Sequence, residues 1–147
     1  MFLLKAFGAS SVISTALSTP NPVVDLGYSV YEGLAQSNGL NQFLGIRFAA
    51  PPLGNLRFRR PLAPLQTIGM QQAKDFGPIC FGVGEGVSNG QSEDCLFLNV
   101  WAPSDATPNS KLPVFFWIQG GGYNANSNSN VSLSHQVEYV ANLLYLV

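Results

Sequence analysis

Leu112-Pro113-Val114-Phe115-Phe116-Trp117-Ile118-Gln119-Gly120-Gly121-Gly122-Tyr123 joins a continuous apolar run to three consecutive glycines. An apolar run without polar alternation reads as a strand buried on both faces, as in a parallel sheet with both sides covered. The glycines remove every Cβ from the turn that follows, so the backbone can approach a ligand closely and present its N–H groups to it. Donors placed in this way stabilise the oxyanion of a tetrahedral acyl-transfer intermediate. Glycines also mark ordinary turns, but the apolar strand before them and the aromatic Tyr123 after them favour the oxyanion reading. Next comes an Asn/Ser-rich loop, Asn124 to Asn130. Leu133, Val137, Val140, Leu144 and Val147 then fall close to one helical face, with Ser134 placed to cap it. The last residues, ANLLYLV, are apolar with no polar exit, which leads us to expect part of a domain rather than a whole one.

Working back toward the N-terminus, Leu96 to Trp101 (LFLNVW) reads as a strand and Phe81 to Gly90 as a Gly-rich loop. Ala50 to Pro64 contains Pro51, Pro52, Pro61 and Pro64. Prolines remove ladder donors, so this segment should run extended over a surface. Val23 to Gly33 and Asn41 to Ala49 carry strand-like patterns on either side of Ser37-Asn38-Gly39, and the spacing predicts a β-hairpin.

The chain has 147 residues, 46% of them hydrophobic and 10% charged, with a net charge of −1. That suits one domain. The apolar content excludes disorder, and the charge balance argues against a nucleic-acid footprint. No run approaches the roughly 20 apolar residues of a transmembrane helix. Two Cys and one His are too few for a usual structural zinc site. Residues 1–18 have one early Lys, a weakly apolar stretch and the small residues Ala16 and Ser18, the outline of a signal peptide. A secreted chain could join Cys80 to Cys95; a cytoplasmic one would keep two buried thiols. Asn130-Val131-Ser132 is the only N-glycosylation sequon.

Phe43-Leu44-Gly45-Ile46-Arg47-Phe48-Ala49-Ala50-Pro51-Pro52-Leu53-Gly54, followed by Leu56-Arg57-Phe58-Arg59-Arg60-Pro61, resembles the N-terminal block of type-B carboxylesterases and lipases. That family includes secreted fungal lipases and cholinesterases. Ser92 to Val100 (SEDCLFLNV) is similar to the family's EDCLxLN signature, and Leu112 to Tyr123 to its strand and oxyanion loop. The three blocks stand in the family's order and together span about residues 23–124. The resemblance implies an α/β fold of the α/β-hydrolase type, here its N-terminal β-rich portion and first central strands, within residues 19–147. It implies that Gly121 and Gly122 give oxyanion-hole N–H groups, that Cys80 and Cys95 form a disulfide, and that Arg57 and Glu93 form a structural ion pair. Two positions depart from the pattern. Arg47 stands where the family often has Pro, and Gln119 where it often has His or an aromatic residue.

An ester hydrolase of this kind also needs a nucleophilic Ser on a strand-to-helix elbow, an acid and a His. In the family all three follow the oxyanion loop, and residues 124–147 contain no Gly-x-Ser-x-Gly. The one literal match, Gly86-Val87-Ser88-Asn89-Gly90, has Asp105 and His135 after it in the right order. It lies in a Gly-rich loop before a β-strand, however, so we read Ser88 as a loop serine and His135 as a polar residue at a helix start. We therefore expect hydrolysis of a small-molecule or lipid carboxylic ester, with only the oxyanion half in this chain, which should be inactive alone. The alternatives are a non-catalytic binding relative of the same fold and, least favoured, a small hydrolase built on Ser88. The resemblance implies no cofactor and no metal. The aromatic residues Trp101, Trp117, Phe115 and Phe116 are expected in the core.

Overall fold

The computed structural model describes residues 20–83, 90–122 and the backbone of 144–146. The signal-peptide reading, Ser88, Asn130, Tyr123 and His135 lie outside the described residues. Among the described residues, eight strands form two sheets. β1 (Val23–Asp25), β2 (Val30–Glu32) and β5 (Met70–Gln72) make a small sheet in the order β1-β2-β5. β3 (Leu34–Ala35), β4 (Leu40–Arg47), β6 (Phe97–Pro103), β7 (Val114–Phe116) and β8 (Leu144–Leu146) make a larger one in the order β3-β4-β6-β8-β7.

The expected hairpin is present about Ser37-Asn38-Gly39, but its first arm is only Leu34–Ala35, paired with Gln42 and Asn41. Val23 to Glu32 instead folds on itself. An Asx turn, with the Gly27 N–H donating to Asp25 Oδ1 at 2.8 Å, reverses the chain between β1 and β2. Gly33 separates the two sheets, for a side chain there would strike the Gln42 carbonyl and the Phe43 ring. β5 gave no strand signal in the sequence; it forms by parallel pairing of Val30, Tyr31 and Glu32 with Met70, Gln71 and Gln72.

The core lies where the sheets meet. Tyr31, Phe43, Ile46 and Ala73 are buried, with Val24, Tyr28, Leu98 and Val100 packed against them. Burial pushes the Tyr28 phenol above its ordinary pKa, helped by Tyr31, while its O–H donates to the Arg47 carbonyl at 2.7 Å. Trp101, 2% exposed, fills the other end of the large sheet, its Nε1–H donating to Gln42 Oε1 at 3.0 Å. Gln36 donates to that same oxygen. Ser29 is also buried, and its Oγ has no partner among the described residues. A polar group without a partner contributes only desolvation cost. Ser29→Ala is therefore expected to leave stability unchanged or raise it by about 1 kcal/mol in a urea titration.

Glu32 ties the small sheet together. Its carboxylate accepts from Asn21 Nδ2 at 2.9 Å and Gln72 Nε2 at 2.7 Å, with Lys74 Nζ at 3.3 Å. These donors favour the charged form and lower its pKa to about 2 from an ordinary 4.5. A depressed carboxylate stabilises the fold fully above the unfolded-chain pKa and loses that contribution as pH falls toward the folded value. Stability should thus decline as pH falls from about 4.5 to about 2, and Glu32→Gln should flatten that part of a pH–stability curve.

The large sheet carries two corrections. Leu112 to Ile118 is not buried on both faces: among the described residues β7 is an edge strand, with Phe116 59% and Ile118 74% exposed. Phe115, Phe116 and Trp117 are thus outside the core, 44%, 59% and 38% exposed, on a strand that only β8 flanks among the described residues. Leu144 belongs to no helix. Leu144–Leu146 is a strand, antiparallel to β6 and parallel to β7. A short apolar run such as LLYLV satisfies helix and strand patterns alike, and the gap between two strands settles it.

Candidate active site

Three features of β4 and β6 build the ground beneath the glycine loop. Phe43 pairs with Val100 and Ile46 with Leu98, so β4 holds one more residue than β6 across this step, a β-bulge. The bulge turns two N–H groups out of the ladder, and both find acceptors. Leu44 donates to the Ala73 carbonyl at 2.8 Å, and Gly45 to Oδ1 of buried Asn99 at 2.9 Å. Gly45 has φ 69°, and a Cβ there would come within 2.8 Å of the Asp75 carbonyl. The segment from Asp75 to Gly77 is squeezed from the other side as well, since a Cβ on Gly77 would lie 2.5 Å from the Phe97 ring. This segment leads directly to Cys80.

Cys80 and Cys95 are joined in a disulfide, with Cα atoms 5.0 Å apart. Arg57 and Glu93 stand 2.7 Å apart, with side chains 50% and 38% exposed. At that exposure the pair is worth about 0–1 kcal/mol. A second pair has the stronger geometry. The Arg47 guanidinium donates to both oxygens of Asp94, at 2.5 and 2.8 Å, and lies 4.5 Å over the Phe97 ring. Hydrogen bonding to Asp94 holds the Arg47 pKa above its ordinary value. Bidentate charge-assisted pairs of this type are the strong ones.

Sequence reading missed Arg47–Asp94 and the role of Asn99. Two signals were there: a cation where the family often has proline, and a lone amide inside the apolar LFLNVW, since buried amides are almost always hydrogen-bonded.

Phe48, Phe97, Asn99, the two half-cystines, Phe116, Trp117 and Gln119 line a cavity of about 390 Å³. Gln119, the residue before the three glycines, thus borders the same apolar space as the disulfide. Gly121 has φ 149° and Gly122 φ 63°, both in regions that L side chains rarely adopt, and both are exposed. Two such residues in succession require glycine. Asp105 is exposed in the turn after β6, where Ala106 donates to the Pro103 carbonyl. Among the described residues, no cluster of His, Cys, Asp and Glu could hold a metal ion, and no helix is long and apolar enough to cross a membrane.

A strand-rich unit that ends in an edge strand and a glycine loop is the N-terminal portion of an α/β-hydrolase fold, and comparison with solved structures agrees. Aspergillus niger EstA superposes with a TM-score of 0.78 at 45% identity, over 86% of this chain and 25% of that one. The profile of the carboxylesterase family matches residues 21–145, and the chain belongs to that family. The medium-chain fatty acyl-CoA hydrolase precursor of Anas platyrhynchos is 33% identical over 139 residues, which is 82% of this chain and 25% of the relative. Carboxylesterase 5A of Mus musculus is 42% identical over 108 residues, 65% of this chain and 19% of the relative. The chain thus spans between about a sixth and a third of the length of the curated relatives it matches.

Proposed function

We propose that this chain supplies the oxyanion side of a carboxylic ester hydrolase that works through a Ser acyl-enzyme. The observation that carries the reading is the glycine pair. Gly121 and Gly122 stand in succession at positive φ, in the loop that follows β7 and just past Gln119, which lines an apolar cavity, in a member of the carboxylesterase family. Attack of a serine on an ester carbonyl places negative charge on the carbonyl oxygen. Backbone N–H groups from Gly121 and Gly122 would receive that charge, and losing one such donor costs about 10²–10³ in kcat. The nucleophile, acid and base are not assigned to residues of this chain. The relatives' names and the apolar cavity favour an ester or thioester with an apolar acyl group. The disulfide and the character of residues 1–18 favour secretion, with cleavage after Ser18.

The test is a chimera in which residues 21–122 replace the matching part of the Aspergillus niger esterase. It should hydrolyse a short-chain aryl ester, and Gly122→Val should lower kcat about 100-fold with little change in KM. The 147-residue chain alone should show no turnover. A folded but inactive chimera would favour a non-catalytic binding module, and turnover by the chain alone, abolished by Ser88→Ala, would relocate the site.

A further inference from the structure

Hydrogen bonds hold the backbone on both sides of the disulfide. On one side, Ile79 donates to the Gly90 carbonyl and Ser92 to the Ile79 carbonyl, both at 2.9 Å, which fixes the backbone next to Cys80. On the other, the Asp94 N–H donates to Ser92 Oγ at 3.1 Å, and the Asp94 carboxylate is gripped by Arg47 through two hydrogen bonds. Phe97, two residues past Cys95, lies under the same guanidinium. Cys80 is exposed and Cys95 half-buried. Cys80 is therefore the half-cystine that a reductant in solution meets first.

We propose that the Cys80–Cys95 bond exchanges with a small thiol while the chain stays folded, and that the Arg47–Asp94 pair keeps Cys95 facing Cys80 once the bond is open. An attacking thiolate bonds to Cys80 Sγ, the sulfur–sulfur bond breaks, and Cys95 leaves as a thiolate. A second thiol then attacks the mixed disulfide, releasing Cys80 as a thiolate and the reductant as its own disulfide. Two thiols give up two electrons, and the protein gains two thiol groups after protonation. Both cysteines line the cavity that Gln119 shares.

The experiment treats the 147-residue chain with reduced and oxidised glutathione and counts free thiols by alkylation and mass spectrometry. The initial reduction rate should rise linearly with reduced glutathione, while circular dichroism stays native. At equilibrium, the effective concentration of the two thiols should fall about tenfold in Asp94→Asn, the effect of losing a charge-assisted contact. Arg47→Lys keeps the charge without the fork, and a drop of about threefold is expected. Glu93→Gln, which breaks only the exposed pair with Arg57, should change it less than twofold. A reduction rate that levels off at a ceiling independent of glutathione would mean that the chain must unfold first, and would overturn the proposal. So would equal effects of Asp94→Asn and Glu93→Gln. If Asp94→Asn does not fold, Arg47→Lys against Glu93→Gln gives the same comparison.

Discussion

Trp101→Ala should cost about 4 kcal/mol of folding free energy, the usual loss on truncating a large buried aromatic residue to alanine. The indole is 2% exposed and fills one end of the large sheet, where β4 and β6 run side by side. Two losses combine: a cavity the neighbouring strands cannot close, and one of the two donors to Gln42 Oε1, which keeps the Gln36 amide. Trp101→Phe separates them. It keeps most of the volume and removes the N–H, and its cost should be only about 1–2 kcal/mol. Urea midpoints of the two variants and the parent give the comparison. Similar costs for both variants would mean that the hydrogen bond, and not packing, dominates this end of the core.

The second large effect is expected at Gly45. Gly45→Ala should destabilise the chain by about 3 kcal/mol, because alanine at φ 69° is strained and its Cβ would meet the Asp75 backbone at 2.8 Å. Gly54 is the control. It also has a left-handed φ, 53°, but nothing lies within 4 Å of a Cβ there. Gly54→Ala should cost only about 1 kcal/mol, the conformational part alone. The difference isolates the close approach of β4 to the segment leading to Cys80. Equal unfolding midpoints would show that the segment yields easily and that the bulge does not hold it.

Much of the chain was legible because its strands carry local signals. LFLNVW has a strand's apolar pattern and is β6, and Ser37-Asn38-Gly39 is a turn in the sequence and in the fold. The family resemblance rested on residues 23–124, inside the matched 21–145. What could not be read depends on partners distant in sequence. Met70-Gln71-Gln72 is a strand only because β2 offers its edge. Leu144 is a strand because two others leave a gap for it. Asp94 was visible only as part of a motif; that it grips Arg47, 47 positions away, is a property of the fold. At the candidate site, the glycines announced themselves by composition. The bulge, the Asn99 contact and the Arg47 pair did not, since each joins residues far apart in sequence.

The order of the large sheet also sets a timetable for synthesis. β8 is made after β6 and β7, yet it lies between them. As the chain leaves the ribosome, β3, β4 and β6 can assemble at once, whereas β7 must wait for the strand that joins it to them. About 28 residues separate Phe116 from Leu144, and at about 5–20 residues per second their translation takes a few seconds. Throughout that interval, Val114-Phe115-Phe116 emerges as an apolar segment without its sheet. Chaperones that recognise short hydrophobic stretches in nascent chains should be found on this segment first, and slowing translation between codons 116 and 144 should raise the fraction of chains lost to aggregation.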